Sequence, residues 1–74
     1  MQNVTAAQRT AANVRAEMAR KRITQTKLAD SLGCSQGAIS RRLLGRVPFD
    51  LNELELVAGQ LGVKITDLIT EAAA

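Results

Sequence analysis
The side chains of this sequence that could do chemistry are amides, hydroxyls and guanidinium groups, and they gather between residues 24 and 46: Gln25, Lys27, Ser35, Gln36, Ser40, Arg41, Arg42 and Arg46. Reactive types are scarce. There is no His, Tyr or Trp and a single cysteine, Cys34. A lone cysteine cannot close an internal disulfide, and without imidazole or a second thiolate no zinc cluster can form, so a reducing, cytoplasmic compartment is expected. The usual general bases are missing, and the seven acids are scattered instead of paired at a fixed helical spacing. Neither catalysis nor a cofactor is expected from such an inventory. What is left is hydrogen bonding and charge.

The charge is unevenly divided. Residues 1 to 46 hold nine Lys or Arg against Glu17 and Asp30, a balance of +7, whereas residues 47 to 74 hold Lys64 against five acids, a balance of −4. A positive field over the first part suits a polyanion and leaves the second part for folding or partner contacts. The same distribution would also fit a merely solvated basic surface. The first 22 residues are rich in Arg and could be misread as a transit peptide, but they contain Glu17 and continue without a break into patterned sequence. No run approaches 18 apolar residues, so a soluble protein is expected.

Elements to position these side chains can be read from capping residues and periodicity. With 74 residues the chain can build one compact core, burying about 60% of its unfolded surface. One domain spanning 1–74 is expected, and with Phe49 the only aromatic, a core of Leu, Ile, Val and Ala favours helices. Thr5 and Gln8 make a capping-box pair, and Val4, Ala7, Ala11, Val14 and Met18 form a stripe on a helix from about residue 5 to 21, with cations in its last turn. A second helix starts at Thr24 as N-cap, carries Leu28, Ala29 and Leu32 on one face, and stops at Gly33. Ser35 caps a third helix, which buries Ile39 and Leu43 and closes at Gly45. Asp50 and Glu53 are a second capping pair, opening a helix with Leu51, Leu54, Val57, Ala58 and Leu61 on its apolar stripe and Gly62 at its end. A short fifth helix is expected to begin at Thr66, bury Leu68 and Ile69, and fray into the three terminal alanines.

Residues 24–45 carry the strongest signal. Two short helices joined by a three-residue turn can cross closely only with a small residue at the crossing and a glycine in the turn, which Ala29 and Gly33 supply. Leu28 and Ile39 then bury against each other. Such a pair projects its second helix toward a major groove and lays the first across it, near the backbone. With Gln36 at zero and about 100° per residue, Ile39 and Leu43 centre near 320°. Arg41, at about 140°, then points outward and Arg42, at about 240°, lies on the flank.

This segment resembles the lambda-repressor-like helix-turn-helix family of phage repressors, Cro proteins and bacterial regulators. The marks are Gln25, the Leu28–Ala29 pair, Gly33, Gln36, Ile39, Gly45 and the Leu61–Gly62–Val63 run, and the match reaches from about Val14 to Ile69. The wording ISRRLLGRVPFDLNELELVA resembles actinobacterial and actinophage members. The resemblance implies an all-α, compact five-helix fold whose helices two and three form the helix-turn-helix. It further implies that Gln25 touches a phosphate and braces the recognition helix, that Ser35 contacts the backbone, and that Gln36, Gly37, Ser40 and Arg41 face base edges. The chemistry of two of them agrees, since a Gln amide pairs with adenine N6 and N7 and Arg with guanine O6 and N7. Gly37 either lets the DNA approach the backbone or is a tolerated surface glycine.

Lys27, Arg42 and Arg46 join Gln25 and Ser35 as expected phosphate contacts, the bland reading of Arg46 being a solvated loop charge. Arg42 departs from the family, where its position is commonly apolar. Either its stem packs at the core edge while its head reaches a phosphate, or the third helix sits differently here. Cys34 is expected to be a small turn residue instead of a redox sensor. The expected function is a sequence-specific regulator that binds double-stranded operator DNA, of repressor type, with no membrane association. The alternative is a protein-interaction module, such as an antitoxin on the same fold. No separate dimerisation segment follows the fifth helix, so a monomer or weak homodimer that pairs on DNA is expected, its seam at Leu68 and Ile69.

Overall fold
In the computed structural model, which describes residues 4–71, five helices follow in chain order: α1 Ala6–Lys21, α2 Gln25–Leu32, α3 Gln36–Leu43, α4 Leu51–Leu61 and α5 Ile65–Ile69. Among the described residues there is no strand. The terminal alanines lie outside the described residues.

Local chemistry explains most of the boundaries. At the start of α1 the Gln8 amide donates to Thr5 Oγ1 at 3.1 Å while Gln8 Oε1 accepts from the Thr5 amide at 3.0 Å. Asp50 and Glu53 repeat the exchange at α4, at 2.7 and 3.0 Å. These bonds satisfy amides that a helix start leaves without partners. α2 and α3 are capped by the hydroxyls of Thr24 and Ser35, each accepting at 3.1 Å from an amide three residues on. Gly33 and Gly62 end α2 and α4 in the left-handed region, and α1 ends in the same conformation at Arg22, φ 56°. The cations of the last turn of α1 are Arg20 and Lys21.

Helix α5 differs from expectation at its start. It begins at Ile65, with Lys64 in the N-cap position, because the Asp67 carboxylate reaches back to accept the Lys64 amide at 3.0 Å. Thr66 is therefore inside the helix.

The core gathers Val14 and Met18 of α1, Leu28 and Ala29 of α2, Ile39 and Leu43 of α3, Leu54, Val57, Ala58 and Leu61 of α4, Leu68 of α5, and Phe49. Helix α1 packs on α3, α4 and α5, while α2 packs on α3 and α4. Three positions of the expected apolar stripes do not go in. Leu51 is 76% exposed, since Phe49 turns inward just ahead of the α4 cap and leaves the first residue of the helix overhanging. Val4 stands at the open end of α1 and is exposed. Ile69 is 42% exposed, so α5 is anchored by Leu68, with Ile65 half-buried against the core.

Asn13 ties the two ends of the fold together. Its Nδ2 donates to the carbonyl oxygens of Leu68 at 2.9 Å and Thr70 at 2.7 Å, which holds α1 against the last turn of α5. No helix among the described residues is long and apolar enough to cross a membrane.

Candidate nucleic-acid interface
Three residues, Gly33, Cys34 and Ser35, separate α2 from α3. The turn works because Gly33 takes φ 67° and lets the Cys34 amide donate back to the Ala29 carbonyl at 3.0 Å. Cys34 is half-buried against the core, a free thiol serving as a small turn residue. Ala29, at the crossing, is buried, and Leu28 and Ile39 are wholly inside. The α2–α3 pair is thus locked on one side and open on the other.

Burial along α3 follows angular position except at Gln36, which lies about 40° from the core direction but is the first residue of the helix and overhangs the core. Ile39 and Leu43 are buried, Ala38, Ser40 and Arg42 are half-buried, and Gln36, Gly37 and Arg41 are exposed. This exposed edge offers an amide and a guanidinium, groups that can hydrogen-bond to base edges. Gly37 has a further neighbour: a Cβ built on it would lie 3.6 Å from a terminal nitrogen of Arg41. The Arg41 guanidinium therefore folds back along the helix over the glycine.

Gln25, Lys27 and Ser35 are exposed at the starts of α2 and α3, and Arg46 is exposed just beyond Gly45. The brace between the two helix starts runs from Gln36 Nε2 to Thr26 Oγ1. Thr26, one residue beyond the glutamine that the sequence singled out, makes this bond. Nothing in the periodicity marked it, because two adjacent exposed polar residues in a first turn look alike.

Arg42 is held by the protein itself. Its Nε donates to Glu53 Oε1 at 3.0 Å and one terminal nitrogen donates to the Ala38 carbonyl at 3.0 Å, with both charged side chains 20% exposed. The same Glu53 oxygen accepts the Asp50 amide, so one carboxylate joins α3 to the capped start of α4. The stem packs at the core edge, as one of the two sequence readings had it, but the head turns to Glu53. Arg15 donates to the Leu43 carbonyl and so caps the end of α3 from α1. Among the described residues, Arg22, Lys27, Arg41 and Arg46 make no ion pair.

The helix-turn-helix family profile matches residues 14–68, which is most of the chain and all of the α2–α3 unit. No curated protein and no solved structure matches it. The family match over this fold supports a DNA-binding helix-turn-helix regulator. The chain belongs to the helix-turn-helix family of the Cro and lambda-repressor-like type.

Proposed function
We propose that the protein is a sequence-specific repressor of phage or bacterial type, which enters the major groove of operator DNA with α3 while α2 lies across the backbone. The observation that carries this reading is the polar edge of Gln36, Gly37 and Arg41 standing outward on the basic half of the chain. Gln36 and Arg41 read bases, Gly37 and Ser40 lie against base edges, and Gln25, Lys27, Ser35 and Arg46 contact phosphates. Arg42 supports α3 through Glu53 in place of a phosphate contact. A role in phage immunity, an actinobacterial or actinophage source and a cytoplasmic, nucleoid-associated location accord with this reading. The protein works as a binder and not as an enzyme.

A labelled duplex from upstream of the protein's own gene tests it by competition. Scrambled duplex should compete far more weakly than the unlabelled upstream sequence. Equal competition would contradict sequence specificity, and no binding at all would contradict the DNA role.

In solution the protein is a monomer or weak homodimer that pairs on DNA over half-sites about one helical turn apart. Leu68, wholly buried within its own chain, cannot line a seam, whereas the exposed Ile69 can. A tight dimer in sedimentation at nanomolar concentration would contradict this.

A further inference from the structure
The hydrogen bond between Gln36 and Thr26 constrains what the glutamine can offer to a base. Gln36 is the first residue of α3 and Thr26 the second of α2, both exposed. Gln36 Nε2 donates and Thr26 Oγ1 accepts. A carboxamide has two N–H donors and one carbonyl acceptor, so one N–H and the carbonyl remain. That pair matches adenine, which presents N7 as acceptor and N6–H as donor in the major groove. Guanine presents two acceptors, O6 and N7, and would need both N–H groups.

A threonine hydroxyl alone could hold the amide either way round, because it can donate as well as accept. Contact with a DNA phosphate would remove that freedom. Thr26 sits in the first turn of α2 beside the exposed Lys27, on the helix that crosses the backbone. A phosphate oxygen only accepts, so a Thr26 hydroxyl that gives its hydrogen to phosphate can only accept from Gln36. The amide nitrogen then faces Thr26, and the carbonyl faces the base.

We propose that Thr26 is the positioning residue that makes Gln36 select adenine over guanine, a role that rests on the reading of α3 as the groove-entering helix. Duplexes selected from a randomised library by the wild type identify the column that Gln36 reads, which Gln36→Ala flattens by about 5-fold or more. Affinities are then measured with adenine and with guanine at that column for the wild type, Thr26→Val, Thr26→Ala and Thr26→Ser. Since the phosphate contact is common to both duplexes, the ratio isolates the base. The column is adenine in the wild type. Thr26→Val and Thr26→Ala lower the adenine-to-guanine ratio by roughly 2- to 10-fold, Thr26→Ser retains it, and the thermal midpoints stay together. An unchanged ratio in Thr26→Val, a loss in Thr26→Ser, a guanine column, or no column lost in Gln36→Ala would each overturn the role of Thr26 while leaving DNA binding intact. Failure of the wild type to select any duplex would overturn the DNA reading itself, and this proposal with it.

Discussion

Arg41 and Arg42 are neighbours in sequence with opposite surroundings. Arg41 stands on the exposed edge of α3, whereas Arg42 is four-fifths buried and shared between Glu53 and the Ala38 carbonyl. Arg41→Ala should cost roughly 1–3 kcal/mol on the operator, relax preference at one base pair and leave the thermal midpoint in place. Arg42→Ala should instead lower stability by about 1 kcal/mol, a midpoint drop of roughly 4–8 °C, with little change in base preference. Thermal melts and operator titrations of both variants decide between them. A relaxed base preference in Arg42→Ala alone would mean that α3 is turned differently on the DNA. Gly45 matters for a different reason. Its φ is +76°, and an added Cβ would lie 3.0 Å from the Cα of Gln8 on α1, where backbone cannot yield cheaply. Gly45→Ala should therefore cost at least the roughly 1–2 kcal/mol of a left-handed alanine, read as a lower thermal midpoint. An unchanged midpoint would show that the α3 end and α1 are not in such close contact.

Among the elements, what could be read from sequence and what could not divide by the distance between partners. The caps at Thr5, Thr24, Ser35 and Asp50 were legible because each joins groups three residues apart. The α2–turn–α3 unit was legible because the crossing and the turn each demand a small residue at a fixed place. By contrast, the Gln36–Thr26 brace spans 10 positions, the Arg42–Glu53 pair 11, and the Asn13–Leu68 bond 55. No periodicity encodes such pairings, since a polar side chain on a helix surface looks the same whether solvent or another helix faces it. Leu51 and Ile69 escaped for a related reason. Apolar spacing assigns a face, but whether the core extends to the end of a helix depends on its neighbours. Asn13 gives these long-range pairs a test. Asn13→Ala removes two hydrogen bonds from the clasp between α1 and α5 and should cost roughly 1–2 kcal/mol in denaturant unfolding, with operator affinity unchanged. A midpoint equal to the wild type would show that the clasp contributes nothing.

Over the whole molecule, chain position and charge coincide: the +7 portion includes α2, α3 and Arg46, and the −4 portion holds α4 and α5. Several cations are already committed, Arg20 to Glu17, Arg42 to Glu53 and one nitrogen of Arg15 to the Leu43 carbonyl. Lys21, Arg22, Lys27, Arg41 and Arg46 are exposed and without ion pairs among the described residues, and on the proposed reading Arg15, Arg22, Lys27 and Arg46 are the cations that meet phosphates while Arg41 reads a base. Each phosphate neutralised releases condensed counterions, so affinity must fall with salt in proportion to the number engaged. The most direct measurement is the operator dissociation constant across a salt series on duplex DNA. Three to five phosphate contacts would give a log–log slope of association against salt between about −2.7 and −4.5. A slope near zero would contradict the assignment of this basic face to DNA.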